Sequence, residues 1–187
     1  MTVSDRMTPP RAPRPFGRRL ILAAMLDAEL YEEVEADRMA LPQAALVVVL
    51  AALGFGIGSF ANGGLAGVLW ITLTMLSGWV GWACLTYWIG SRLLATPDTE
   101  TDAGELLRTL GFSAAPGCCA VFGIVPGLTP WLFTVILIWM LATMVVAIRQ
   151  ALDYRTTARA LAVCAVGIPF VLLLLIGVLL LTGPWPL

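Results

Sequence analysis

Charged side chains are absent from three long stretches of the chain. Residues 39–91, 109–148 and 160–187 contain no Asp, Glu, Lys, Arg or His, which leaves uninterrupted runs of 53, 40 and 28 residues. A helix that crosses a bilayer needs about 20 apolar residues, so each longer run fits two crossings with a turn, and the last run fits one. The sequence therefore predicts an all-α, polytopic membrane protein with five transmembrane helices.

The lengths of these runs place the five predicted spans along the chain. The spans are residues 43–60, 65–90, 109–125, 130–148 and 159–182, which form one membrane domain followed by a short outer tail at residues 183–187. Asn and Gly tolerate the backbone conformations of tight turns, so residues 61–64 and 126–130 are predicted to turn on the outer side. A composition of 59% hydrophobic and 12% charged residues agrees with this class of protein.

The position of the charges predicts how the chain is oriented. Every charged residue lies in one of three clusters, at residues 5–38, 92–108 and 149–159. A pair of spans returns the chain to its starting side, so all three clusters are expected on one face of the membrane. All eleven basic residues are arginines in these clusters, and the positive-inside rule makes this face cytoplasmic, with the C-terminus outside. Arginine in place of lysine, with abundant alanine, indicates a bacterial genome and hence a cytoplasmic (inner) membrane.

The chain before the first span divides into two parts. Residues 1–17 are rich in proline and arginine, and this composition predicts a disordered tail because it buries too little apolar surface to fold. Residues 18–39 are predicted to form one amphipathic cytoplasmic helix. Its apolar stripe recurs at every fourth residue: Leu22, Leu26, Leu30 and Val34. With the adjoining Tyr31, this stripe is a candidate partner-binding surface or interfacial anchor; the alternative is that it packs on the protein's own loops.

Two other charged segments supply further candidates for partner binding. Glu105 and Arg108 are three residues apart on a predicted short helix and can pair, and Arg155 lies in the most basic loop, after the fourth span. An exposed pair of this kind contributes well under about 1 kcal/mol and argues no function by itself. The alternative interpretation of the basic loop is that it only sets the topology.

Small residues and prolines inside the predicted spans are candidates for helix packing. Gly54 and Gly58 are four residues apart in the first span, a spacing that lets helices approach closely in lipid. Pro116 and Pro169 lie inside the third and fifth spans, where each removes a backbone hydrogen bond and is expected to kink its helix. We interpret these four residues as structural.

The residue types on which most enzymes depend are missing. There is no histidine, which removes the commonest general base and the commonest metal ligand. The cores of the predicted spans contain no Asp, Glu, Lys, Arg or His, which argues against ion-coupled transport. We therefore expect no catalytic, cofactor-binding or metal-binding residues and no enzyme activity. The net charge of −1 leaves no basic face, so nucleic acid is excluded as a partner.

Three stretches of the chain carry a family resemblance. They are residues 26–35 (LDAELYEEVE), 105–116 (ELLRTLGFSAAP) and 138–161, which begins IWMLATMVVAIRQ. The second is similar to the lead-in and helix-breaking proline that open the third span of YIP domain proteins, and the third resembles that family's fourth span and charged loop. The resemblance, to a bacterial-type member, implies an adaptor or membrane organiser without known catalysis. Eukaryotic members bind Ypt/Rab GTPases, but residues 27–31 only partly match their Asp-Leu-Tyr-Gly-Pro motif, so Rab binding is not implied.

Three functions are compatible with the sequence. The first is a noncatalytic adaptor, membrane organiser or accessory subunit of a larger membrane complex, whose partners are the lipid bilayer and a membrane protein or a second copy. The alternative is a permeation protein for a small neutral solute or lipid, favoured by hydroxyl groups inside the spans. These hydroxyl residues are Ser59, Thr72, Thr74, Ser77, Thr134 and Thr143. A lipid-modifying enzyme would have to recruit charged residues at the cytoplasmic interface, namely Glu105, Arg108, Asp153 and Arg155.

Overall fold

Helices make up the regular structure of the protein. A computed structural model describes residues 13–95, 101–125 and 127–182, and for residues 61–63 and 170–182 it describes the backbone alone. Seven α-helices lie in these ranges: α1 Phe16–Ala24, α2 Ala28–Ala36, α3 Leu41–Gly58, α4 Phe60–Trp88, α5 Ala103–Ser113, α6 Thr129–Ala151 and α7 Thr157–Thr182. Two 3-10 segments, Arg38–Ala40 and Ala115–Ile124, and a π-helical turn, Ile89–Leu93, connect them. The predicted all-α fold class is confirmed.

Four helical stretches within the described residues are long and apolar enough to cross a membrane. They are Arg38–Gly58, Gly64–Leu93, Ala103–Ile124 and Thr129–Ala151, with mean hydropathies between 1.3 and 2.5. The fifth predicted span falls on α7, whose backbone is helical to Thr182 and whose side chains are described as far as Pro169. The predicted outer tail at residues 183–187 lies outside the described residues.

The segment predicted as one amphipathic helix from residue 18 to 39 contains two helices. α1 ends at Ala24, and the backbone of Leu26 has a φ of 61°, which takes it out of the helical region. The carboxylate of Asp27 then accepts a hydrogen bond from the Leu30 N–H at 3.0 Å. This is an N-cap, which satisfies an otherwise unpaired amide and starts a new helix at Ala28. The segment is therefore broken at residues 25–27, where the sequence predicted one continuous helix.

The predicted tail at residues 1–17 also differs from the structure at its C-terminal end. Helix α1 already begins at Phe16, after an extended residue at Pro15. Proline is well suited to such a position because it lacks the amide that a helix start leaves unpaired. The backbone N–H of Arg14 donates to the Glu33 carboxylate at 3.0 Å, so this part of the segment is attached to α2. Residues 1–12 lie outside the described part of the chain.

Glycines in left-handed or strained conformations lie in both predicted outer turns. Gly64 has a φ of 54° and a ψ of −156°, and it interrupts the helical run that follows α3. Gly127 has a φ of 81° in the short connection that leads into α6. Glycine adopts such angles at little cost because it has no Cβ atom, which explains why the helical runs break at these two points.

The third membrane stretch changes its helical type at Pro116. α5 ends at Ser113, and the chain continues as a 3-10 helix in which the Gly117 N–H donates to the Ala114 carbonyl at 2.9 Å. The Ser113 carbonyl is thereby left without its helical donor, and the Thr143 hydroxyl of α6 donates to it at 2.7 Å. Proline favours this break because it lacks an N–H for the preceding turn.

The close packing of the membrane domain is centred on α3 and the 3-10 segment Ala115–Ile124. Gly54 of α3 lies so close to this segment that a Cβ atom there would be 2.7 Å from the Gly117 carbonyl oxygen. At Gly58 a Cβ atom would come still closer to the Ala120 carbonyl oxygen, with the Phe133 ring on the other side. The two glycines therefore lie where backbone meets backbone, while Pro169 is exposed on α7.

Candidate interaction surface

Side chains from the three charged clusters meet at one end of the helical bundle. The Arg108 guanidinium of α5 donates to the carbonyl oxygens of Val34 and Glu35 at the end of α2, the former at 3.1 Å. The Gln150 amide of α6 donates to the Glu32 carboxylate at 2.8 Å. Helix α2 is thus fixed to two helices of the membrane domain. We call α1 and α2 together the lead-in helices.

Arg108 makes an electrostatically favourable contact with α2. The last carbonyl groups of a helix have no intrahelical donor and carry the negative end of the helix dipole. Arg108 is 5% exposed, and its charge lies against these carbonyls at the end of Ala28–Ala36. The guanidinium therefore acts as a C-terminal cap supplied by another helix, which couples the end of α2 to α5.

A second arginine is buried between the lead-in helices and the start of α3. Arg19 is 1% exposed, and its guanidinium contacts the carboxylates of Glu33 and Asp37 at 2.9 and 2.8 Å. Its third acceptor is the side-chain oxygen of Gln43 at 3.0 Å. Because a buried charge is costly unless it is paired, this arrangement requires all of these partners. Arg19 is therefore paired inside the protein.

Most of the apolar stripe of the lead-in helices is covered by the protein itself, while Leu26 is 37% exposed. Leu30, Tyr31 and Val34 are each 0% exposed, and Leu22 is partly buried. The Tyr31 hydroxyl donates to the Ala23 carbonyl at 3.1 Å, and burial raises the pKa of this phenol. Three of the residues predicted to bind a partner are therefore inside the fold, which corresponds to the alternative of packing on the chain's own segments.

Helix α1 lies along the membrane-crossing part of α6. The Trp139 indole N–H donates to the Ala24 carbonyl at 2.7 Å. Trp139 precedes Arg149 by ten residues, about 15 Å along an α-helix, so α1 contacts α6 well inside its apolar stretch. The outward side of α1 is apolar, with Ile21 61% and Met25 68% exposed. Together with the adjoining Leu26, this side is suited to a lipid environment.

Acidic groups gather where α2, α5 and the loop after α6 come together. Glu35 is partly buried there, and burial raises its pKa from the ordinary 4.5 to about 7, helped by the negative charges of Asp153, Glu105 and Glu32. The nearby Arg108 acts in the opposite direction and lowers the pKa of Glu35. The carboxyl group of Glu35 therefore titrates near neutral pH.

The predicted pair of Glu105 and Arg108 is used differently in the structure. The Glu105 carboxylate accepts from the Asp102 N–H at 2.8 Å, while the Asp102 carboxylate accepts from the Glu105 N–H at 2.9 Å. This reciprocal arrangement is a capping box that starts α5. Glu105 thus stabilises its own helix, and Arg108 holds α2, so each residue has a structural contact of its own.

The basic loop after α6 forms a small polar cavity. A volume of about 220 Å³ is lined by side chains that include Arg149, Gln150 and Tyr154. Arg155 is exposed on this cavity, and Asp153 beside it has a φ of 50°. The Tyr154 hydroxyl donates to the Leu94 carbonyl at 3.1 Å, which attaches this loop to the end of the π-helical turn Ile89–Leu93. Within the described residues, no group of three or more His, Cys, Asp or Glu could hold a metal ion.

The exposed side of α2 is acidic. The Glu29 side chain is 77% exposed and contacts the Arg14 guanidinium at 3.3 Å, and Glu32 on the next turn is also exposed. We call these two residues the acidic face of α2. Neither belongs to the predicted apolar stripe; both belong to the run of acids between the leucines, which favours a face toward water or a basic partner. Exposed carboxylates on a rigidly held helix can attract a basic segment of another molecule.

A comparison with known protein families finds a match over most of the chain. The sequence model of the Yip1 domain matches residues 28–180, which include α2 and the membrane domain. No curated protein and no solved structure matches the chain.

Proposed function

Because the chain belongs to the Yip1 domain family, a non-enzymatic family of membrane proteins, we propose that it is a noncatalytic adaptor that recruits a basic partner through the acidic face of α2. Such a partner is a cytoplasmic segment of another membrane protein, and the adaptor resides in a bacterial inner membrane. The adaptor or accessory-subunit role is the first function expected from the sequence. The proposed partner surface, however, is Glu29 and Glu32 and not the leucine stripe.

The rigid attachment of α2 carries this proposal. Leu30 and Val34 are buried, while Glu29 and Glu32 on the opposite side of the helix are exposed. Contacts from Arg108 and Gln150 fix α2 on the bundle, so the acidic face has a defined position. A preorganised charged surface binds with less loss of conformational entropy than a mobile one.

The orientation in the membrane decides whether this surface can meet a cytoplasmic partner. We propose that the N-terminus is cytoplasmic and that five spans place the C-terminus outside. The support is that all eleven arginines lie in the three charged clusters, which a five-span arrangement puts on one face of the membrane. Reporter tags at residues 95 and 153 should then report cytoplasm, and tags at residues 63, 128 and 187 should report the outside. A cytoplasmic C-terminal tag would contradict the five-span arrangement.

Purification in a mild detergent tests the adaptor proposal. The wild-type chain should retain a stoichiometric protein partner with a basic contact segment, and the complex should dissociate as the salt concentration rises. The double variant Glu29→Lys plus Glu32→Lys should lose this partner at low salt. The matched control is Glu29→Asp plus Glu32→Asp, which keeps both charges and should retain the partner. Retention of the partner by the charge-reversed variant would overturn the proposal.

The permeation alternative finds less support in the hydroxyl groups of the spans. The Ser59 and Thr72 hydroxyls donate to carbonyls one turn earlier in their own helices, Phe55 and Val68, at 2.8 and 2.9 Å. The Thr134 hydroxyl does the same toward Pro130 at 2.8 Å. Hydroxyls that are bonded within their own helix present no continuous polar path. Solute flux through proteoliposomes that contain the protein alone would favour the alternative.

A further inference from the structure

An apolar cavity lies between α3, α4, α5 and α6. Its volume is about 350 Å³, which is within the range of sites that bind small organic ligands. Its walls are dominated by large flexible or aromatic side chains: Met75, Trp79, Trp82, Met140 and Met144. Methionine adapts to irregular apolar shapes, so these walls fit a ligand without a rigid outline.

Two of the three polar side chains around this cavity are hydrogen-bonded within the protein. The Trp79 indole N–H donates to the Leu107 carbonyl at 3.1 Å, and the Ser113 hydroxyl donates to the Leu110 carbonyl at 2.8 Å. The Trp82 indole nitrogen is buried and has no hydrogen-bond partner among the described residues. None of these three groups is offered to a ligand. The site therefore selects for hydrocarbon rather than for a polar molecule.

The cavity opens on the side of the bundle that faces lipid. Helices α4 and α6 border the opening, and they are the least buried of the four membrane stretches, at 11% and 28%. On its rim, Leu137 and Leu141 are 57% and 41% exposed, and Gly78 is exposed as well. The lining of the cavity is thus continuous with the surface that the bilayer covers.

We propose that this cavity binds one acyl chain of a membrane lipid. Protein interiors contain few voids larger than a water molecule, and water does not fill an apolar site, so the cavity favours an apolar occupant. Hydrocarbon chains surround its opening in the bilayer. The bound chain packs between α4 and α6 and closes the gap that these helices leave over α3 and α5. This site is independent of the acidic face of α2 and of the proposed adaptor function.

Two glycines on α4 provide a matched pair of variants. A Cβ atom at Gly78 or at Gly81 would meet no atom of a neighbouring segment within 4 Å, so a larger side chain at either position starts in open space. Gly78 lines the cavity and Gly81 does not. A Gly78→Phe variant places a ring where the acyl chain enters, while Gly81→Phe adds the same ring to the same helix outside the cavity.

The experiment uses the full chain in liposomes that contain a phosphatidylcholine with a photoactivatable diazirine in the middle of one acyl chain. After illumination, mass spectrometry should find the highest adduct yield on the cavity methionines Met75, Met140 and Met144. Gly78→Phe should lower this yield at least five-fold, and Gly81→Phe should leave it within two-fold of wild type. Adducts on the exposed Leu65 and Leu73 should be equal in all three proteins and serve as the internal reference.

Three results would overturn the proposal. One is a methionine yield that does not exceed the yield on Leu65 and Leu73. Another is an equal loss of methionine adducts in both phenylalanine variants. The third is a covalent dimer when a photoreactive residue replaces Leu141, because a helix from a second copy would then fill the cavity. Methionine adducts that depend on Gly78 alone would support the acyl-chain site.

Discussion

The four membrane stretches form two pairs that differ in burial. The inner pair, α3 with its lead-in turn and the stretch Ala103–Ile124, is 50% and 67% buried over its most apolar window. The outer pair, Gly64–Leu93 and Thr129–Ala151, is 11% and 28% buried. Mean hydropathy does not separate the pairs, since the inner values are 2.1 and 1.3 and the outer values are 1.6 and 2.5. The most buried stretch is in fact the least hydropathic.

The space available around the glycines distinguishes the two pairs, whereas mean hydropathy does not. A Cβ at Gly54, Gly58 or Gly117 in the inner pair would collide with neighbouring atoms. A Cβ at Gly78 or Gly81 of the outer helix α4 would meet nothing within 4 Å. Lipid is as apolar as leucine, so helices in a bilayer associate through close packing rather than through hydrophobicity. The comparison shows that a glycine marks an inner helix only when another helix lies against it.

The largest expected effect comes from enlarging a glycine of the inner pair. In Gly58→Leu the new side chain must displace the Ala120 backbone and the Phe133 ring, because both lie against this position. Overpacking a well-packed site costs about 1–3 kcal/mol and more when backbone must move, so we expect about 3 kcal/mol or more. Thermal unfolding in detergent, followed by loss of the monodisperse species, measures the change.

The matched change in the outer pair is Gly81→Leu on α4. Its side chain enters open space, so the unfolding temperature should correspond to a change within about 0.5 kcal/mol. Similar losses in both variants would mean that inner and outer helices tolerate large residues equally. The size-based distinction between the pairs would then be wrong.

A smaller effect is expected at the attachment of the lead-in helices to the inner pair. Arg19→Met removes the cation that contacts Glu33, Asp37 and the inner-pair residue Gln43. Removing one partner of a buried ion pair costs about 3–5 kcal/mol, but both carboxylates are about a quarter exposed, so we expect about 2 kcal/mol. Limited proteolysis of α1, together with thermal unfolding, should show the lead-in helices released first.

The corresponding contact with the outer pair is weaker and serves as the control. Gln150→Leu removes the hydrogen bond from α6 to the exposed Glu32, and we expect a loss within about 0.5 kcal/mol. If Gln150→Leu loosened the lead-in helices as much as Arg19→Met, the lead-in helices would depend on the outer pair as well. The lead-in helices would then be attached to the whole bundle and not mainly to the inner pair.

The general character of the fold could be predicted from where charges are absent. The runs without charge predict membrane-crossing helices, and the all-α class and the membrane family are confirmed. Such runs depend only on local composition, since each span must be apolar along its own length. The glycine-rich residues 61–64 similarly point to a break that the structure has at Gly64.

The candidate surface could not be predicted in the same way because its contacts join distant residues. Arg108 donates to Val34, 74 residues earlier, and Gln150 donates to Glu32, 118 residues earlier. A single sequence does not indicate which acceptor a charge will find. The cap at Asp27 was visible in principle, since an aspartate before Ala-Glu-Leu favours a helix start, but the stripe of leucines suggested an uninterrupted helix.

A contact between the two pairs gives the next prediction. The Thr143 hydroxyl of the outer helix α6 donates to the Ser113 carbonyl of the inner pair at 2.7 Å. Thr143→Val keeps the shape and leaves this carbonyl without its donor, so we expect about 1 kcal/mol of destabilisation in detergent. Thr134→Val is the control, because its hydroxyl donates only within α6, to Pro130. Equal effects would show that the bond between the pairs contributes nothing.

The smallest expected effect is a pH dependence confined to the lead-in helices. The pKa of Glu35 is raised from 4.5 to about 7, mainly by burial and then by Asp153, Glu105 and Glu32. Below about pH 4.5 the carboxyl group is protonated in both the folded and the unfolded chain, and its stabilising contribution is complete. As the pH rises through about 7, the folded chain must release a proton that it binds more tightly than the unfolded chain, and this contribution is lost.

Docking of α2 in the wild-type chain should therefore weaken between pH 5 and pH 8, and Glu35→Gln should remove this dependence. Proteolysis of α2 in detergent at a series of pH values measures docking, while thermal unfolding reports on the inner pair. Within the inner pair, α3 has no charged residue between Leu41 and Gly58, and Glu105 and Arg108 lie in the first two turns of α5, so we expect its unfolding to change little over the same range. If proteolysis of Glu35→Gln kept the wild-type slope, another of the four neighbouring charged groups would control the attachment of α2. If thermal unfolding of the inner pair in the wild type showed the same pH dependence as proteolysis of α2, the lead-in helices and the inner pair would form one cooperative unit rather than two.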